Sequence, residues 1–322
     1  MFRRLLTRLQ SASLRRVVLG DTDLNLTVTR DDDYGLFRGH ARYTGSERWG
    51  LIEGQGADWD ARIAELKAWS ELLERCSFYM QISDGNPSQY TTNGFAAHFW
   101  RRHVRDAALA ELVERDVFLC SWLLGRRALV IEPRTPTQRE LDGSLRGREF
   151  DVALGVWGVC MGLTVGVTTI RSPHGFAMDA ATARSTDELV EKLLVRAYSL
   201  TAPLCSEPRR VSEIAVEAYP LDHFGYWLDR GEIAESLIDL SRPAPERLPE
   251  IRGFDYDFED LTPRNELAKA SGFEVVRAHS GACQNLWFGA TTDEQIRYDR
   301  LREFAGEDVD TASINRQPHP MS

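Results

Sequence analysis

Apolar and polar residues alternate with period two through LNLTVT at residues 24–29, and Gly-containing turns follow, so residues 22 to 56 read as β-rich. From residue 58 the period lengthens to that of a helix. Ile63, Leu66, Trp69 and Leu73 fall on one face, and Asp58 or Asp60 opens the pattern, which predicts a helix over 58–76. The loop SDGNPSQYTTNG separates it from a second helix, predicted from about Phe99 to Leu119. VALGVWGVCMGLTVGVTTI then runs for 19 residues without a charge, long enough to cross a membrane. Its four glycines and its valines and threonines suit two short buried strands better. A helix from Thr186 to about Thr201, a polar stretch near SRPAPERLP, a helix near NELAKASG, the strand EVVRA, a charged helix and a proline-bearing tail complete the chain. Strands and helices mix without a β-α-β rhythm, which predicts an α/β (α+β) class, a single domain of mixed β-sheets flanked by helices. The expected division is a basic N-terminal segment with a β-rich opening over 1–44, then the main domain over 45–322.

Composition narrows what such a domain does. At 322 residues, 43% hydrophobic and 27% charged, the chain reads as soluble and globular, and its net charge of −10 speaks against a nucleic-acid-binding surface. Five cysteines without a C-x-x-C pair fit a reducing cytoplasm and neither a disulfide framework nor a zinc site. Cys76, Cys120 and Cys160 sit among apolar neighbours, as buried thiols do. The start, MFRRLLTRLQSASLRRVVL, is rich in Arg and free of acids but lacks the apolar core of a secretory signal. It reads as a basic helix packed on the domain or on a partner, and no membrane span is expected.

One pattern carries chemistry. ELLER at residues 71–75 returns as ELVER at 111–115, each late in a predicted helix. Lys67, Glu71 and Glu74 share a face of the first helix, and His103, Glu111 and Glu114 share a face of the second. Side chains three or four apart on a helix stand roughly 5–6 Å from one another, so each pair can grip one small target. A single Glu-x-x-Glu is ordinarily a solvated face with a surface ion pair. Two copies offer four carboxylates, and if these converge, each close pair repels by about 4 kcal/mol at ~4 Å and an effective dielectric near ~20. A hard divalent cation with oxygen ligands resolves that repulsion, and Mg2+ brings phosphates with it. The chain has no Walker G-x-x-x-x-G-K-[ST].

TTNGFAAHFWRRHVRDAALAELVERD resembles the signature segment of the YcaO-domain family, a Ser/Thr-Asn-Gly loop, a helix and Glu-x-x-Glu-Arg-Asp. GQGADWDARIAELKAWSELLERC is similar to the family's earlier helix, a Gly-x-Gly turn running into Glu-x-x-Glu-Arg. SGFEVVRAHSGACQNLWFG is similar to its late strand and turn, and PHPMS to the P-x-P-x-P tail of its azoline-forming branch. The resemblance spans roughly residues 45 to 322. It implies ATP bound with Mg2+ through clustered glutamates and a backbone amide activated by phosphorylation. Position by position, it makes Glu71, Glu74, Glu111 and Glu114 metal or phosphate-side ligands. Arg75 and Arg115 would contact phosphate or lock those carboxylates, Asn93 would face the phosphates, and Gly94 would let the backbone approach closely. Pro318 and Pro320 would pre-set an extended tail whose last residue, Ser322, delivers its carboxylate as a base to the pocket between the two helices.

The chain also departs from the family's pattern. Lys67 stands where a Ser is usual, His103 where a further Glu is usual, and Lys192 and Arg196 where a later helix usually carries Arg-x-x-x-Glu. Each change adds positive charge or removes negative charge, which implies fewer metal ions, or Lys and Arg in their place, or a site without activity. The expected function is an ATP-dependent cyclodehydratase subunit acting on Cys, Ser or Thr of a ribosomal precursor peptide. A ThiF-like leader-recognition partner is expected, with an FMN-dependent dehydrogenase where azoles form, and a homodimer within a hetero-complex. The alternatives are a non-catalytic scaffold subunit and a thioamide- or amidine-forming YcaO.

Overall fold

The computed structural model describes residues 23–46, 50–84, 93–206, 210–215 and 220–321. The expected basic helix at residues 1–22, most of the loop before Asn93, and Ser322 lie outside the described residues. In chain order the strands are β1 (Leu24–Asp31), β2 (Leu36–Ser46), β3 (Gly50–Asp58), β4 (Phe95–His98), β5 (Ala128–Val130), β6 (Asp151–Cys160), β7 (Leu163–Ser172), β8 (Gly175–Ala183), β9 (Ile238–Pro243), β10 (Glu250–Ile251), β11 (Asp257–Asp260) and β12 (Glu274–His279). The α-helices are α1 (Ala61–Asp84), α2 (Arg101–Leu123), α3 (Pro136–Arg146), α4 (Thr186–Cys205), α5 (Pro220–Trp227), α6 (Ala234–Leu237), α7 (Glu266–Ser271) and α8 (Tyr298–Ala305). The class is the expected mixed one. The chain folds as two compact units, the first reaching to Glu111 and including Asp257–His279, the second made of Leu112–Tyr256 and Ser280–Ser322.

In the first unit β1, β2 and β3 form an antiparallel meander, and α1 lies on it. Asp60 caps α1 by accepting the Arg62 N–H at 2.9 Å. Trp69, Leu72, Leu73 and Cys76 of α1 are buried with Leu24, Ala41, Ile52, Phe95 and Val275. The helix comes close enough only because of glycine: a Cβ at Gly54 would lie 2.2 Å from the Ala68 carbonyl oxygen, and one at Gly56 2.5 Å from that of Ala64. The Gly-x-Gly expected as a turn is therefore part of β3, and its glycines serve packing. A second sheet, ordered β11-β12-β4, joins the unit. Buried Asn265 caps α7 through the Ala268 N–H and ties it to α1 by donating to the Leu73 carbonyl (3.0 Å) and the Ser77 hydroxyl (2.7 Å).

In the second unit the sheet runs β8-β7-β6-β5-β9. It is antiparallel from β8 to β5; β9 pairs parallel with β5, and β10 parallel with β6. The charge-free run forms β6 and β7, as expected, joined through Met161 and Gly162 at φ 54° and 76°. Two consecutive positive φ values suit a tight two-residue hairpin turn. Among the described residues no helix is long and apolar enough to cross a membrane. Helix α4 covers β7 and β8 with Leu189, Val190, Leu193, Leu194 and Ala197, all buried. Cys76, Cys120 and Cys160 are buried, as expected, and so is Cys283.

The residue after the second Glu-x-x-Glu-Arg anchors this core. Asp116 and Arg300, both wholly buried, meet at 2.6 Å through Nη2, and Nε lies 3.0 Å from each carboxylate oxygen. The Gln284 N–H adds a bond to Asp116 at 2.7 Å, and Arg300 also donates to the Arg252 carbonyl at 2.9 Å. Burial pulls the Arg300 pKa down, but the Asp116 carboxylate outweighs it and holds the guanidinium charged.

Candidate functional site

The first motif lies on the face of α1 that reaches over β3. Glu71 accepts the Gln55 N–H at 2.7 Å on one oxygen and the Arg75 guanidinium at 2.6 Å on the other. Lys67 donates to the Ala57 carbonyl at 2.9 Å and pairs with Asp58 at 2.8 Å, at the end of the same strand. Glu74 turns toward β4 and accepts the Ala97 N–H at 2.8 Å. Burial raises the Glu74 pKa well above the carboxylate range, and the Glu111 charge raises it further against that bond. Glu111 thus lies close enough for its charge to disfavour that of Glu74. His103 stands apart, two turns before Glu111, exposed, with its ring 5.1 Å from that of His98 and 5.0 Å from that of Trp100.

Asn93 is buried at 2% exposure, and neither its amide oxygen nor its amide nitrogen has a partner among the described residues. An unmet buried amide costs on the order of 1–3 kcal/mol, so a polar ligand on it would be stabilising. Gly94 follows at φ 74°, where a Cβ would lie 2.1 Å from the Ala278 carbonyl oxygen. The close approach expected there is to the protein's own strand β12, sealed by the Ala278 N–H donating to the Gly94 carbonyl at 2.8 Å.

Around the second motif the setting is basic. Glu114 is buried, unlike the solvated face that is ordinary for Glu-x-x-Glu, and lies 3.8 Å from the Arg115 guanidinium. Burial raises its pKa, while Arg115, Arg196 and Lys192 pull it down and Asp179 adds to the rise. Arg196 is half-exposed and pairs with Asp179 of β8 at 3.3 Å. Lys192, also half-exposed, pairs with Glu188 at 3.0 Å and donates to the Thr182 carbonyl at 2.9 Å. Sequence reasoning missed Asp179, a lone acid in the alanine-rich FAMDAATA, and nothing local marks it.

The Arg115 guanidinium donates to the Met321 thioether, which draws the tail into this neighbourhood. The tail is buried as far as the described residues go: His319, Pro320 and Met321 are inside and Pro318 is half-buried. Among the described residues no group of three or more His, Cys, Asp or Glu could hold a metal ion. What fits a cation is the desolvated Glu74 with the Glu111 charge beside it; what fits phosphate oxygens is the set Arg115, Lys192 and Arg196.

No family model matches the chain, and no curated protein matches its sequence. Solved structures do match in fold. A YcaO protein from Methanopyrus kandleri, bound with AMPPCP and Mg2+, superposes with a TM-score of 0.62 at 13% identity over 86% of this chain and 91% of that one. A heterocyclase in complex with substrate and cofactor gives 0.68 at 13% identity; the match covers 97% of this chain and 57% of that one. The McbBCD microcin synthetase complex of E. coli gives 0.55 at 12% identity over 81% and 88%. The chain has the YcaO fold.

Proposed function

We propose that the chain is a YcaO-family protein that consumes ATP, with magnesium, to convert Cys, Ser or Thr of a ribosomal precursor peptide to azolines. The observation that carries this reading is Glu74, a desolvated carboxylate that the Glu111 charge disfavours further, while Arg75 of the same motif is drawn to Glu71. A bound cation would lower the cost of that arrangement. Glu71, Glu74, Glu111 and Glu114 would be its ligands or stand on its phosphate side. Magnesium, when bound, would supply the positive charge that lets both acids ionise and offsets developing phosphate charge. Arg115, Lys192 and Arg196 would take phosphate oxygens, with Lys67 and His103 as the further nucleotide-side residues that the resemblance implies. Asn93 would use its unmet amide on the nucleotide, and Gly94 would hold that amide in place against β12.

The chemistry is an amide activation. The Cys, Ser or Thr side chain attacks the preceding carbonyl, the resulting oxyanion takes the γ-phosphoryl group of ATP, and phosphate leaves with the former amide oxygen. ADP, phosphate and an azoline remain, one water poorer than the peptide. Positioning and electrostatics supply most of the stabilisation in such transfers. The burial of His319, Pro320 and Met321 supports a working role for the tail, with Ser322 as the base that the resemblance implies. A ThiF-like leader-recognition partner would deliver the peptide, and an FMN-dependent dehydrogenase would act afterwards where azoles are made.

A second reading, a scaffold subunit without turnover, is favoured by Glu71, whose two oxygens are both engaged within the fold. Assays with precursor peptide and partner protein separate the two. The enzyme reading expects ATP consumption with loss of one water per ring by mass spectrometry, both abolished by Glu114→Gln. No turnover by the wild-type complex establishes the scaffold, and normal turnover by the variant overturns the site.

A further inference from the structure

Pro318 and Pro320 have no backbone N–H, so residues 317–321 cannot pair as an ordinary strand, and their carbonyls must be met in another way. Three consecutive carbonyls are met by ring N–H groups of the second unit. Trp122 Nε1 donates to Gln317 at 3.0 Å, Trp227 Nε1 to Pro318 at 3.1 Å, and His223 Nδ1 to His319 at 2.9 Å. An indole is always a donor. A histidine is one only in the right tautomer, and His223 is held in it by its other nitrogen. Nε2 accepts the Gly289 N–H at 2.8 Å, so it carries no proton and Nδ1 does. The ring is wholly buried, edge-on to Phe288 and 4.7 Å from the ring of His319. The His319 ring reaches the Trp287 carbonyl and lies edge-on to Phe118.

We propose that His223 is a positioning residue for the proposed reaction: its neutral, Nδ1-protonated ring clamps the His319 carbonyl and sets how the end of the tail is presented. This rests on the tail having the role given to it under Proposed function. Protonating Nε2 would oppose it to the Gly289 N–H and place a charge beside the His319 ring, so the clamp opens with acid. The groups facing the pair agree with that direction. Burial lowers the His223 pKa below its ordinary 6.5, against Asp222 and the two backbone bonds. Burial takes His319 to about 3, and the His223 and Arg115 charges act in the same sense. A histidine whose folded pKa is lowered contributes stability that is complete above its unfolded value and is lost as pH falls from there.

Met321, buried beside Arg115, reports on the clamp independently of catalysis. Its conversion to sulfoxide by dilute hydrogen peroxide, followed by peptide mass spectrometry, should be slow in the wild type at about pH 8 and about ten-fold faster at about pH 5.5, as the released thioether becomes accessible. His223→Phe, which removes the donor, should be fast at both. His223→Asn, whose amide can donate from the Nδ1 position but does not titrate, should be slow at about pH 8 and accelerate less than wild type at about pH 5.5, where only His319 still titrates. Equal protection of wild-type Met321 at the two pH values, a His223→Phe protein as protected as wild type, or a His223→Asn protein that follows the wild-type pH curve would each overturn the clamp. Where His223→Phe does not fold, the wild-type and Asn pH curves decide alone. Ring formation on the same proteins tests the other reading. A released tail with lost azoline formation and intact ATP binding supports both, whereas a released tail with undiminished azoline formation keeps the clamp and rejects the tail's role in the reaction.

Discussion

In the first Glu-x-x-Glu-Arg, Arg75 reaches back 2.6 Å to Glu71 and is half-exposed; in the second, Arg115 turns to the Met321 thioether and Glu114 is buried. Glu74 is crowded by another acid, Glu111, whereas Glu114 is surrounded by Arg115, Arg196 and Lys192. Even the next residue differs, a buried thiol at Cys76 and a buried, fully paired carboxylate at Asp116. The four shared letters fix helical spacing and little else. The sign of the local charge, and with it whether a copy suits a cation or an anion, comes from residues brought in from elsewhere in the chain.

The largest consequence concerns those next residues. Asp116→Ala leaves buried Arg300 with only the half-exposed Glu303, 3.9 Å away, and should cost about 3–5 kcal/mol, read as a fall in the denaturant midpoint. Cys76→Ala removes only a small buried sulfur and should cost about 1–2 kcal/mol, with no charge left behind. Comparable losses from the two would show that Asp116 is no anchor.

Next in size is the effect on turnover. Glu74→Gln keeps an acceptor for the Ala97 N–H and removes a charge that the fold disfavours, so the free protein should be as stable as wild type or more so. ATP consumption should nevertheless fall by about 100-fold or more, the usual scale for losing one well-placed electrostatic group. A stable variant with unchanged turnover breaks the assignment of this copy to the cation.

These contrasts show what the sequence could and could not reveal. The helical period of Ile63, Trp69 and Leu73 and the uncharged run with its glycines point to the helix and to two buried strands, because both signals are local. The first predicted helix nonetheless runs on to Asp84, since Cys76, Ser77 and Gln81 continue its buried side. Gly54 and Gly56 look alike in a turn or under a helix, and only the proximity of Ala64 and Ala68 shows which they serve. Strand β8 was hidden because its core residues are mostly alanines. Helix α3 has a Thr135–Gln138 capping box, but Gly143 and many polar residues dilute its pattern in the sequence. The spacing of the glutamates was legible; Asp116 and Arg300 are 184 positions apart, and no local pattern joins them.

Acid should move the two units in opposite directions. A carboxylate whose folded pKa is raised, such as Glu74, contributes stability that is present below its unfolded value and is lost as pH rises through the folded one, so acidification from neutrality relieves the first unit. His319, lowered to about 3 from 6.5, does the reverse: between those values the second unit loses about 1.4 kcal/mol per pH unit. Glu114, raised by burial, offsets part of that loss, so His319→Gln is the control that isolates it. Hydrogen exchange of peptides from α1 and from α2 beyond Leu112, compared at pH 7 and 5 for wild type, Glu74→Gln and His319→Gln, would read each contribution. Identical pH responses in wild type and His319→Gln would remove the histidine from the account.

The smallest effect separates the two arginines. Arg75 and Glu71 form an i,i+4 pair on a helix surface, where screening leaves about 0.3–0.5 kcal/mol, and raised salt should erase most of it. Arg75→Ala should therefore shift the denaturant midpoint slightly at low salt and hardly at all at high salt. Arg115 has only a small exposed fraction, and its partners, the Met321 thioether and the Glu114 carboxylate, are both buried. Salt reaches such a group poorly, so Arg115→Ala should cost more, and the cost should persist as salt is raised. The Met321 sulfoxide rate should rise in that variant and stay at the wild-type value in Arg75→Ala. Should both substitutions give the same small, salt-sensitive loss, the second motif would be as solvated as the first, and the electrostatic difference between the copies would not exist.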